Sequence, residues 1–180
     1  RAANKKLIIR VGVPAVLASL LGAFLLTYVS KFPVVASYEL AGGTHEITLV
    51  KLIIGALIVV FSSLELSPRF QKIAIDPKYL PVGGLLSGFF GGLSGHQGAL
   101  RSMFLIKTGI GKEEFIGTGV VLAVMVDVTR LVVYGAGFYA VHLEVLSDVG
   151  GLVAAATVAA FIGAYIGKEL LKKVTLRVVQ

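Results

Sequence analysis

The chain has 180 residues, 56% of them apolar and only 15% charged, with a mean hydropathy of +0.90. Soluble domains carry about 25% charged residues, and the charges here gather in short islands between apolar runs, which excludes water as the surroundings of most of the chain. The net charge of +7 does not point to nucleic acid: the basic residues flank apolar segments, where they set topology and meet lipid headgroups, and no nucleic-acid module is present.

The first apolar segment, Leu7–Val29, is long enough to span, since about 20 helical residues cross a hydrocarbon core of about 30 Å. Pro14 falls in its first turns, where proline is tolerated or kinks the helix. The loop Lys31–Glu46 follows, then a second span, Ile47–Leu66, with Lys51 near one end and able to snorkel. The third segment, Pro81–Ile106, reads PVGGLLSGFFGGLSGHQGALRSMFLI, with seven glycines from Gly83 to Gly98. Glycine costs up to about 1 kcal/mol per helical position, so the expectation is two half-helices, Pro81–Phe90 and Gly98–Ile106, joined by an unwound turn over Gly91–Gln97. Phe115–Val141 is the fourth segment and Val149–Gly167 the fifth, the latter ending in Lys168, Lys172 and Lys173. Gly163 and Gly167 form a small-xxx-small pair suited to close helix contact.

Loop charges decide how the broken segment lies. With Arg1, Lys5, Lys6 and Arg10 cytoplasmic, the Lys31–Glu46 loop is outside and the Arg69/Lys72/Lys78 loop inside. If the broken segment crossed, Lys107 and Lys112 would be outside, the acidic Glu144/Asp148 loop inside and the Lys168–Arg177 tail outside, against the positive-inside rule. A re-entrant hairpin from the cytoplasmic side puts every loop on its favoured side; a single broken span is the alternative.

Charges within membrane segments are costly and mark function. Arg101 lies in the hairpin. Asp127 and Arg130, three residues apart, share one helical face with Tyr134 one turn on. One carboxylate against two guanidiniums leaves a cation without a partner, and an anionic substrate completes the account. The bland alternative makes Asp127 and Arg130 a helix-packing pair and Arg101 a snorkelling residue. Around the turn, Gly91, Gly92, Gly95 and Gly98 let a ligand approach the backbone at a half-helix N-terminus, while Ser94, His96 and Gln97 add polar side chains. His96 either carries a proton or holds the turn as a neutral hydrogen-bonding residue.

Other chemistries find no support. No cysteine is present, which excludes disulfides and thiol chemistry. His45, His96 and His142 lack metal-ligand spacing, so no metal or cofactor is expected. Gly135–Ala140 fits a dinucleotide glycine pattern but follows no strand, and Gly163–Lys168 lacks the spacing of a phosphate loop. A hydrolase would need Ser94, His96 and Asp127 to converge, for which nothing in the sequence argues. No catalytic residue is assigned and the chain is not expected to be an enzyme.

Three runs resemble the sulfite exporter TauE/SafE family: Gly84-Leu-Leu-Ser-Gly-Phe-Phe-Gly-Gly-Leu-Ser-Gly-His-Gln-Gly-Ala-Leu-Arg-Ser102, Lys112-Glu-Glu-Phe-Ile-Gly-Thr118 and Asp127-Val-Thr-Arg-Leu-Val-Val-Tyr134. In that family the glycine-rich element occurs twice. The resemblance therefore implies an inverted repeat of which only the second copy is here, with segments expected before Arg1 and after Gln180. It implies substrate binding by Gly91, Gly92, Ser94, Gly95, His96, Gln97, Gly98, Arg101 and Ser102, with Asp127, Arg130 and Tyr134 as an associated coupling or ion-pair group.

The expectation is an all-α integral membrane protein, a polytopic helical bundle forming one transmembrane domain with a re-entrant hairpin. Its function would be secondary export of a small anion such as sulfite, a sulfonate or a carboxylate from a bacterial cytoplasmic membrane. The expected partners are the anion and the lipid bilayer, with a homo-oligomer or a larger membrane complex left open. The competing reading is a non-transporting membrane scaffold with the same fold.

Overall fold

Small residues line the seam between the first helix and the glycine-rich one, while many large apolar residues face outward. The computed structural model describes residues 3–40, 42–71, 73–139 and 144–171. Its elements are helix α1 (Lys5–Val29), strands β1 (Val34–Leu40) and β2 (Gly43–Thr48), and helices α2 (Leu49–Leu66), α3 (Pro68–Gln71), α4 (Leu80–Ser94), α5 (Gly98–Leu105), α6 (Lys112–Tyr139) and α7 (Glu144–Leu171). Among the described residues, four stretches are long and apolar enough to cross a membrane: Lys5–Val29, Leu49–Leu66, Lys112–Gly137 and Gly150–Leu170. The fourth expected segment ends at Val141, which lies outside the described residues, as do His142 and the end of the basic tail. The chain divides into two units, Arg1–Tyr134 and Gly135–Gln180. The second contains α7, an apolar helix with Lys168 in its last turn; the functional geometry belongs to the first.

On α1 the buried residues are Val11, Gly12, Ala15, Ala18, Ser19, Gly22 and Ala23. Ile9, Val13, Leu17, Leu21, Phe24 and Tyr28 are exposed on the other side, as a lipid-facing stripe requires. The inner face meets a glycine row on α4. A Cβ at Gly84, Gly88 or Gly92 would run into the backbone of Val11, Ala15 or Ser19 respectively, and one at Gly22 into that of Phe89. The rising register on both helices makes α1 and α4 parallel, with backbones closer than any side chain would permit. Between lipid-embedded helices, where apolar burial gives little net drive, such close contact is the main source of association.

This seam corrects one expectation. Gly91 and Gly92 do not belong to an unwound turn; both are helical, and α4 runs on to Ser94. The propensity cost of glycine is offset by the approach it permits. The break falls at Gly95, left-handed at φ 84°, followed by His96 and Gln97, and α5 then starts at Gly98. Gly91 faces Gln97 and Gly83 faces the Phe104 ring, so α5 returns antiparallel along α4. The Ile75 N–H donates to the Met103 carbonyl at 3.0 Å across the mouth of this hairpin.

Helix α6 lies parallel to α1. Asn4, the N-cap of α1, accepts from the Leu7 N–H, donates its own N–H to Thr118 Oγ1 (2.9 Å), and donates through Nδ2 to Glu114 (2.7 Å). Further along, Gly12 lies against Leu122 and Met125. The starts of α1, α4 and α6 and the end of α5 therefore share one end of the unit. That end carries Lys5, Lys6, Arg10, Lys78, Lys107 and Lys112.

The expectation of an all-α chain needs one addition. The Lys31–Glu46 loop is a β-hairpin, antiparallel from Val34↔Thr48 to Leu40↔Gly43, with Gly42 at φ 79° in the turn and Tyr38 stacked on His45. Thr48 then caps α2 through its side chain. The helical, polytopic class stands.

Candidate functional site

The tip of the α4–α5 hairpin reaches beyond the middle of the bundle. Its level is set by Gly92 beside Ser19 of α1, and α4, at 15 residues, rises roughly 22 Å from the mouth. Three side chains of the tip have distinct surroundings. Gln97 is buried and directs Nε2 toward the Ala123 carbonyl (3.5 Å) and Asp127 Oδ1 (3.4 Å) on α6. His96 stacks on Phe61 of α2, with ring planes 8° apart and centroids 6.2 Å apart; Phe61 also meets Phe90 edge-on. The His96 Nδ1 atom is buried and has no hydrogen-bond partner. Ser94 closes α4 with its hydroxyl on the Phe90 carbonyl at 3.2 Å.

Arg101 sits one turn into α5, its N–H bonded to the Gln97 carbonyl at 3.1 Å. Its guanidinium lies against Gly119 of α6, with Nε and one terminal nitrogen 3.8 and 4.0 Å from where a Cβ would stand. The other terminal nitrogen, Nη1, is buried without a hydrogen-bond partner, and Arg101 forms no ion pair among the described residues. Ser102 is half-buried beside it, and Gly98 is exposed with open space around it.

The Asp127 carboxylate is engaged elsewhere. Its Oδ1 accepts from Arg130 Nε at 3.0 Å, an i,i+3 pair along α6. Arg130 packs over Gly95, where a Cβ would stand 2.9 Å from Nη1. Tyr134 Oη donates to the Gly92 carbonyl at 2.5 Å, with the Leu93 carbonyl 3.2 Å away. The structure thus brings Gly95, Gln97, Asp127, Arg130 and Tyr134 together at one corner of the tip. His96, Gly98 and Arg101 form the remainder. Gly91 and Gly92 are lining of the helix seams, and Ser94 bonds back into its own helix.

Sequence reasoning missed Phe61, Gly119 and the Ala123 carbonyl. Phe61 is one apolar residue in an apolar run, and a backbone carbonyl leaves no trace in composition. The glycine row at 84, 88 and 92 did carry a signal, the same small-xxx-small spacing noted at Gly163 and Gly167. Among the described residues no group of three or more His, Asp or Glu side chains could hold a metal ion.

Four helices long and apolar enough to cross a membrane among the described residues, with a broken helical hairpin packed against α1 and α6, make this a multi-pass integral membrane protein. The family model of the sulfite exporter TauE/SafE matches residues 1–180, and the chain belongs to that family. No curated protein and no solved structure matches it. At the family level this makes the chain an anion-exporting permease, with a small anion and membrane lipid as its partners.

Proposed function

We propose that the protein is a secondary transporter that exports a small anion, sulfite, a sulfonate or a related organosulfur or carboxylate anion, across the bacterial cytoplasmic membrane by alternating access. Arg101 carries this reading. A guanidinium among apolar helices, with a buried Nη1 that makes no hydrogen bond and with no ion pair among the described residues, is costly unless an anion completes it. The start of α5 adds backbone N–H groups with partial positive charge, and the open space at Gly98 admits a ligand close to them. His96 contributes an unpartnered ring nitrogen, either as a hydrogen-bonding group for the anion or as a proton carrier. The ligand set narrows to the Gly95–Gly98 turn, Arg101 and Ser102.

In this reading the basic end of the first unit faces the cytoplasm and the β-hairpin the other side. The α4–α5 hairpin is then re-entrant: it enters from the cytoplasmic side and returns there. Transport rocks this element against a partner repeat, driven by an ion gradient or the membrane potential, because no nucleotide-binding motif is present.

The test is flux in proteoliposomes containing the full-length protein, with labelled sulfite, a sulfonate and a carboxylate offered in turn. Saturable flux of at least one anion that falls to background in Arg101→Ala is the expected result. Flux unchanged by Arg101→Ala removes the central assignment. No flux of any anion, together with stably co-purifying proteins, favours the scaffold reading.

A further inference from the structure

The corner formed by Asp127, Arg130 and Tyr134 has a geometry that differs from a ligand site. A helix leaves its last four carbonyls without intrahelical partners, and in a bilayer no water replaces them. For α4, which ends at Ser94, the Gly91 carbonyl takes the Gly95 N–H at 2.9 Å. The next two, Gly92 and Leu93, are those that Tyr134 Oη reaches, at 2.5 and 3.2 Å. The same helix end carries partial negative charge, which favours a cation. The Arg130 guanidinium lies there against Gly95.

Asp127 fixes this arrangement from below. It takes Arg130 through Nε at 3.0 Å, which leaves the terminal nitrogens toward the tip, and it receives Gln97 Nε2 at 3.4 Å from the hairpin itself. Positions 127, 130 and 134 recur at helical spacing, so one face of α6 carries all three. The left-handed backbone at Gly95 favours glycine, and the Arg130 guanidinium occupies the space where a Cβ would stand.

We infer that Arg130 and Tyr134, oriented by Asp127, latch the hairpin tip to α6 by capping the C-terminal end of α4, and that they are positioning residues for Arg101 and not ligands of the anion. The inference rests on the reading that the tip carries the anion site. It also accounts for Arg101: among the described residues the Asp127 carboxylate forms its ion pair with Arg130, and Arg101 has no ion pair of its own to set against a substrate anion. With the latch closed, α4, α5 and α6 move as one body.

The test uses the full-length protein in detergent, in a background with no other cysteine, carrying Gly98→Cys. This position has open space for a side chain, as does Gly111, which serves as the control. The rate of modification by a membrane-impermeant maleimide is compared with and without Tyr134→Phe, which removes one hydroxyl and keeps the ring. At least fivefold faster labelling at position 98, with no change at position 111, is expected. Arg130→Lys, which retains charge but loses the planar fork, gives a smaller acceleration in the same direction. In proteoliposomes with labelled sulfite, Tyr134→Phe lowers the maximal rate at least tenfold while the half-saturating concentration stays within twofold. Unchanged labelling at position 98 in both variants overturns the latch. A tenfold rise in half-saturating sulfite at an unchanged maximal rate overturns it too, by making Tyr134 a ligand. The labelling needs no substrate, so it separates failure of the latch from failure of the anion reading.

Discussion

A methyl group added at Gly88 has nowhere to go. The new Cβ would strike the Ala15 carbonyl and stand 2.5 Å from the Ala15 Cα, where two carbons rest at about 3.5–4.0 Å. Both obstacles are backbone, so no rotamer relieves them, and α1 and α4 must part by about 1 Å. Alanine recovers up to about 1 kcal/mol of helix propensity, whereas overpacking costs about 1–3 kcal/mol even where side chains can yield. Separation also loosens the neighbouring contacts at Gly84 and Gly92, so the upper part of that range applies and the net loss is about 2 kcal/mol. For a chain of this size that lowers the melting temperature by roughly 4–8 °C. Circular dichroism at the helical band suits a protein without tryptophan. Gly55→Ala, on α2 with open space around it, is the control and should melt at or above the wild-type temperature. Gly88→Ala melting at or above wild type would refute the close-packed seam.

Two further outcomes follow from the same packing. Cysteines replacing Lys112 and Glu39 should be labelled by impermeant reagents from opposite sides of the membrane, Lys112 from the cytoplasmic side. Labelling of both positions from one side contradicts the proposed topology. Asn4→Ala removes the cap of α1 and its bond to Glu114; a loss of about 1 kcal/mol is expected, read as a lower melting temperature, and an unchanged melt would show that the α1–α6 tie contributes nothing.

Composition and apolar run length were enough to find the spanning helices, because lipid imposes long uninterrupted apolar stretches. The glycine density of Pro81–Ile106 also announced a break. Its position is less legible: propensity records what glycine costs a helix and not what a neighbouring helix gains from it, so propensity alone puts Gly91 and Gly92 in the turn that belongs to Gly95–Gln97. The β-hairpin carries its own signal, alternating residues before Gly42-Gly43, which loop charge alone does not reveal. The spacing of Asp127 and Arg130 displayed their pairing. The partner of Tyr134 lies 42 residues away and could come only from the folded chain.

The central claim is that Arg101 holds the anion, and equilibrium binding of labelled sulfite to the purified full-length protein tests it most directly. Arg101→Gln keeps a shorter, neutral polar side chain and removes the charge. A charge-assisted contact of about 1.5–3 kcal/mol corresponds to a loss of affinity of roughly tenfold to a hundredfold, with the helical circular dichroism unchanged. Wild-type affinity for sulfite in Arg101→Gln would contradict the account.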